Sequence, residues 1–165
     1  MQASLLAALV AVATMVIKIP TLTGGYVNIG DGVVLICGWL LGPVWGALAA
    51  GLGSMLADLI GYPIYAPGTF VIKGLMALIA FAVAGLCKPI FKKHAWLAYI
   101  LAGIAAEAVM VLGYFIFEAV FLSYGMGAAV GILPNVSQAV VGIAIGTSLM
   151  CLIDRTNLIQ KIKRK

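Results

Sequence analysis

Residues Gly61–Gly74 read GYPIYAPGTFVIKG, a polar and aromatic interruption between two stretches apolar enough to live in lipid. The segment carries Tyr62, Tyr65, two prolines, a threonine and Lys73. A lysine inside an apolar span costs about 2.5–3.5 kcal/mol at the bilayer centre on insertion scales, and less near an edge. Such a residue either pairs and faces the protein interior or a watery cavity, or lays its stem along the helix and snorkels to the headgroups. What decides between the two is whether other polar groups converge on Lys73 at the same depth.

Composition sets the frame for that question. The chain has 165 residues, is 64% hydrophobic and only 9% charged, and has a mean hydropathy of +1.19. Soluble domains carry about 25% charged residues, so this is an all-α integral membrane protein, with room for one bundle of five or six helices over residues 1–165 and no soluble domain of any size. The net charge of +5 is not a nucleic-acid surface. Lys88, Lys92, Lys93, Arg155, Lys161, Lys163, Arg164 and Lys165 gather in one connector and at the C-terminus, which is the positive-inside pattern. Cys37, Cys87 and Cys151 stand alone in apolar runs and read as small packing side chains. Met1–Pro20 has the hydrophobicity of a signal peptide but no basic start, so it reads as the first span.

The spans follow from the breaks. The first runs over residues 3–19 and stops at Lys18 and Pro20. Ala3, Ala7 and Ala11 recur every four residues and form a smooth stripe that another helix can approach closely. Residues 21–32 (TLTGGYVNIGDG) read as a loop. Residues 33–60 are too long for one span at about 1.5 Å per residue, and Gly42-Pro43 divides them into a short helix over 33–41 and a longer one over 44–60. Further helices are expected over 69–86, 96–122 and 134–153, with Gly142 and Gly146 as a packing pair in the last. This gives a compact six-transmembrane-helix bundle with both termini cytoplasmic, in which the connections at 21–32, 61–68 and 123–133 face outward.

Counting inward from those outer ends puts Lys73, Glu118, Tyr114, Asn135 and Gln138 at similar depth, with Asp31 and Asp58 at helix ends nearby. Asn28, Tyr62 and Tyr65 come from the adjoining connections. One cation, several carboxylates, amides and tyrosines in the outer third of a membrane describe a pocket for a small polar ligand, with rings to stack on it and amides to read its edge. Structural roles compete at each position. Lys73 and Glu118 can neutralise each other as a pair, Asp31 can cap its helix, Asn135 and Gln138 can bond helix backbones, and the tyrosines suit an interfacial belt. Glu107 lies about 16 Å deeper than Glu118 on the same stripe, as a pocket floor or a buried structural acid. His94 stands in the basic connector, away from this cluster. The sequence has no Walker loop, no metal-ligand cluster and no nucleophile with a base at its depth. The expectation is a protein that is not an enzyme, needs no cofactor or metal, and draws any transport energy from a partner or an ion gradient.

The run over residues 25–74, GYVNIGDGVVLICGWLLGPVWGALAAGLGSMLADLIGYPIYAPGTFVIKG, resembles the substrate-binding S components of energy-coupling factor (ECF) vitamin transporters. LPNVSQAVVGIAIG at 133–146 and the alanine stripe of the first helix are similar to the same family. The resemblance implies a six-helix subunit of the prokaryotic plasma membrane that binds a vitamin or precursor from outside. It also implies partners, namely a transmembrane scaffold protein and two cytoplasmic ATPases, with Ala3, Ala7 and Ala11 at the scaffold contact. Toppling of the subunit then delivers the ligand inside. The branch that residues 61–74 most resemble implies a small ring ligand such as hydroxymethylpyrimidine or pyridoxine. Another vitamin such as riboflavin, or a stand-alone secondary transporter, is the alternative.

Overall fold

Six apolar helices and one small hairpin make up the computed structural model, which describes residues 1–156. Helix α1 is Gln2–Val16, followed by a two-stranded antiparallel hairpin, β1 (Lys18–Pro20) and β2 (Tyr26–Asn28), paired Ile19 to Val27. Helix α2 is Asp31–Leu41, α3 is Pro43–Gly61, α4 is Ala66–Cys87, α5 is Ala95–Ile116 and α6 is Ile132–Arg155. A π-helical turn, Phe117–Phe121, continues α5, and a 3₁₀ segment, Gly125–Gly131, leads into α6. Four helices are long and apolar enough to cross a membrane, while α1 and α2 are shorter apolar helices.

The expected break at Gly42-Pro43 is present. Gly42 holds φ of +80°, a conformation that L side chains rarely adopt, and Pro43 opens α3 at the position where a missing N–H costs nothing. Residues 21–32 depart from expectation, because they are not simply loop. Their flanks pair as strands, and Asp31 and Gly32 already belong to α2. Three-residue strands beside Pro20 carry almost no pattern of their own; the ladder is held by the packing around it.

Helix α2 is the centre of the bundle. Its residues from Asp31 through Trp39 are all buried, and it packs against α1, α3, α4 and α6. Close approach there depends on missing side chains. A Cβ on Gly38 would run into the backbone of Ala77 in α4, and one on Gly53 of α3 would meet the Ala7 carbonyl and Val10 of α1. In a membrane, where lipid competes equally for apolar surface, such small-residue contacts let backbones pack tightly. The expected Gly142 and Gly146 pair behaves likewise, with Gly146 against Gly32 and Leu35. Outward faces remain greasy, as Leu5, Val12 and Val16 of α1 illustrate.

Three connections meet at one end of the bundle. Tyr26 of β2 stacks on Tyr62 with ring centroids 4.5 Å apart, Lys18 donates to the Ala57 carbonyl at 3.2 Å, and Tyr65 donates to the Thr23 carbonyl at 3.0 Å. The opposite end holds a separate cluster, in which Tyr99 packs on Trp39 and donates to Asp154 at 2.8 Å beneath Lys88. Lys92, Lys93 and His94 lie in the connector at that second end, while Lys161, Lys163, Arg164 and Lys165 of the basic tail lie outside the described residues.

The α2–α4 crossing makes a prediction. Gly38→Val forces a branched side chain onto the Ala77 backbone and should cost about 1–3 kcal/mol by overpacking. Gly85→Ala, where nothing lies within 4 Å of the new Cβ, should leave stability unchanged or slightly raised. Thermal unfolding of the two variants in detergent checks this, and equal midpoints would refute the close-packing account.

Candidate functional site

Helix α2 has 11 residues and at 1.5 Å per residue is about 16 Å long, roughly half the hydrocarbon thickness of a bilayer. Its N-terminus therefore stops inside the bundle, and the hairpin fills only part of the space above it. The rest is a cavity of about 30 Å³. Irregular backbone at such depth is tolerated where it is buried in protein or lines a polar cavity, and here it does so.

The floor is a hydrogen-bonded network around Asp31, which is fully buried. Lys73 donates to one Asp31 oxygen in a buried ion pair, and Gln138 Nε2 donates to the other at 2.6 Å. Gln138 Oε1 accepts the backbone N–H of Asn28 at 2.6 Å, and the Asn28 side chain accepts the N–H of Gly30 at 2.8 Å. One chain of bonds thus ties α4, α2, α6 and the hairpin. Asp31 also sits in the first turn of α2, where the helix dipole favours a carboxylate.

The walls carry two tyrosine–carboxylate pairs. Tyr26 donates to Asp58, and Tyr65 donates to Glu118 Oε1 at 3.1 Å. Burial, and after it the neighbouring carboxylate, holds both phenols above their ordinary value, so they stay protonated donors. Tyr114 shares a hydrogen bond with Thr69 at 2.9 Å, and its ring lies 5.4 Å from Lys73 Nζ. The π-helical turn carries Glu118, and the bond from the Leu122 N–H to the Phe117 carbonyl marks its wider winding. Asn135 reaches the cavity from the start of α6 with no side-chain hydrogen bond to the described residues.

The sequence-predicted residues fall into three groups. Asn28, Tyr65, Lys73, Tyr114, Glu118, Asn135 and Gln138 all line the cavity. Asp31 lies beneath it, joined to Lys73 and Gln138, and Tyr62 stands behind Tyr26. The pairing of Lys73 with Glu118, one of the competing structural roles, does not occur. Lys73 pairs with Asp31 instead, because α2 starts two residues earlier than expected and brings that carboxylate inside the bundle. Asp31 makes no side-chain cap to its helix, and Gln138 bonds Asp31 and the hairpin rather than a helix backbone.

Tyr26 and Asp58 belong to the cavity, as do Thr14, Thr23, Ser54 and Thr69. The sequence reading placed Asp58 beside the cluster, as an acid at the outer end of an apolar helix, without choosing it as a ligand residue, and it chose none of the others. Glu107 is not the cavity floor. It lies behind Asp31 across Gly142 and borders an apolar groove between α5 and α6, with both carboxyl oxygens lacking hydrogen-bond partners among the described residues. Ala3, Ala7 and Ala11 are half-buried along α1, and the Ala7 backbone is already engaged with Gly53 of α3.

Residues 1–155 match the sequence pattern of the ECF-type riboflavin transporter S component family. The chain belongs to that family. It is a multi-pass membrane protein of a prokaryote and has a vitamin-transporter role. It is 41% identical over 143 residues to an "uncharacterized protein in gap 3'region" of Pyrococcus woesei, covering 85% of this chain and 90% of that one. It is 29% identical over 148 residues to the thiamine precursor transporter HmpT of Lactococcus lactis subsp. cremoris (strain MG1363), covering 88% of this chain and 80% of HmpT.

The Asp31–Lys73 pair makes the site's own prediction. The sequence alone suggests that Lys73→Ala weakens binding and spares the fold, but the pairing gives Lys73 a structural duty as well. Removing one partner of a buried pair leaves an uncompensated charge and costs about 3–5 kcal/mol. Lys73→Met should therefore destabilise strongly in detergent, and the double variant Asp31→Asn/Lys73→Met should recover most of the loss. Additive losses in the double variant would show that the two residues are not coupled.

Proposed function

We propose that this S component binds a small water-soluble vitamin or vitamin precursor from outside the cell, hydroxymethylpyrimidine or pyridoxine fitting best. It then hands the ligand inward by working with an ECF scaffold protein and two ATPases, with Ala3, Ala7 and Ala11 on the helix that meets the scaffold. The observation that carries this reading is the cavity above α2, small and walled by tyrosines, amides and carboxylates at one end of an otherwise apolar bundle.

Charge supports one orientation. Lys88, Lys92, Lys93 and Arg155 stand at the end opposite the cavity, and positively charged connections stay in the cytoplasm. The cavity end then faces out, and both termini face in.

The small free volume favours a small ligand. A cavity of about 30 Å³ must open for any vitamin, less for a single substituted ring than for the three-ring system of riboflavin with its ribityl chain. The similarity to HmpT, a thiamine precursor transporter, points the same way. Riboflavin is the second reading, favoured by the name of the matching family.

Among the side chains brought together, Asn135 is the free reader. Gln138 is committed at both ends to Asp31 and Asn28, whereas the Asn135 amide has its donors and acceptor available. Native mass spectrometry of the gently purified protein should show a co-purified mass of pyrimidine or pyridoxine size. Asn135→Ala should weaken binding of that compound about tenfold, equivalent to one or two lost hydrogen bonds, as read by intrinsic fluorescence titration. A riboflavin mass would keep the transport role and replace the ligand. Failure of every vitamin in a panel to bind would sink the proposal.

A further inference from the structure

Glu118 is 3% exposed, and its Oε2 has no hydrogen-bond partner among the described residues. Its Oε1 accepts from the Tyr65 hydroxyl at 3.1 Å, whose single proton the Thr23 carbonyl also claims at 3.0 Å, and the Thr23 hydroxyl is the other polar group beside the carboxylate. No cation offsets it, since Lys73 is engaged by Asp31, the one salt bridge among the described residues. On the other side is bare backbone: a Cβ on Gly131 would come within 2.9 Å of Oε2. The carboxylate lines the cavity. A buried acceptor left in this condition is costly until something donates to it.

Acids outnumber cations in the cavity lining. Asp58, Glu118 and the buried Asp31 face Lys73, with Lys18 near Asp58 outside the lining, so the lining favours a ligand that brings hydrogen-bond donors or positive charge and disfavours a carboxylate or phosphate. Ser54 Oγ, buried in the same lining on α3, also lacks a partner and can serve a second polar edge of a flat ring.

We propose that Glu118 is the specificity-determining residue of this pocket, its Oε2 accepting an N–H from an amino-substituted or protonated nitrogen heterocycle. The assignment rests on the vitamin-binding reading above and narrows it to aminopyrimidine-like ligands. The π-helical turn serves this purpose by winding Glu118 to the cavity beyond the regular end of α5.

The experiment titrates the full chain in detergent with 4-amino-5-hydroxymethyl-2-methylpyrimidine and with its 4-oxo counterpart, followed by tryptophan and tyrosine fluorescence. Wild type should bind the amino compound at least tenfold more tightly. Glu118→Gln, nearly isosteric, can present either an acceptor or a donor, and its preference should shrink to within about threefold. Thermal unfolding of the variant accompanies the titration. If Glu118→Gln does not fold, the wild-type preference alone decides, and equal affinity for the two compounds overturns the proposal. An amino preference that survives Glu118→Gln also overturns it while leaving the transport role intact. If wild type binds neither compound, the aminopyrimidine assignment is overturned, and titration with pyridoxine and the rest of the vitamin panel decides the transport reading separately.

Discussion

The arrangement depends on a buried ion pair. Asp31 and Lys73 sit where lipid surrounds the bundle and no water is at hand to solvate a lone charge, so neither is tolerable without the other. Their pairing fixes α2 against α4. Gln138, bonded to the second Asp31 oxygen, fixes α6 to the same point and passes the constraint through Asn28 to the hairpin. Apolar packing in a membrane lacks the strong driving force it has in water, since lipid tails are as greasy as leucine. Register between these helices is therefore set by this polar knot and by glycine contacts such as Gly38 on Ala77, more than by burial of oil.

The same knot explains why a pocket exists at all. A full-length second helix would fill the bundle from one end to the other. Because α2 stops at Asp31, the chain above it must run as irregular backbone, and the hairpin, Gly30 and the residues around Thr23 are satisfied by one another and by Tyr65 and Gln138. What remains above the helix is polar because every group that closes that gap brings hydrogen-bonding atoms with it.

Much of this was legible in the residues. Six apolar helices and the break at Gly42-Pro43 follow from hydropathy and proline chemistry, and the convergence of Lys73, Tyr114, Glu118, Asn135 and Gln138 follows from counting depth along helices. Counting failed where an end was misplaced. Starting α2 at Val33 put Asp31 at the helix end, in the cluster but unpaired, and offered Glu118 as a partner for Lys73, whereas two more helical residues carry Asp31 to the lysine. The hairpin was illegible because three-residue strands next to a proline have no period to detect. The π-helical turn was illegible because a wider winding leaves no residue signature, only a changed direction for Glu118. Thr14, Thr23 and Ser54 escaped because small hydroxyl residues are ordinary packing residues in membrane helices.

The polar groups divide by whether their bonds are already made. Asp31, Lys73 and Gln138 are saturated by one another, so a ligand that drew on them would have to break bonds that hold the helices together. Among the described residues, Asn135, Ser54 and Oε2 of Glu118 lack such partners, and bonds made to them break none of the bonds that hold the helices. Affinity is best drawn from groups held in place but not yet satisfied, because the cost of ordering them has been met in folding. On the proposed function, the inner network supplies that rigidity and the unpaired atoms above it would supply recognition, so the two tasks fall to different side chains of one cavity.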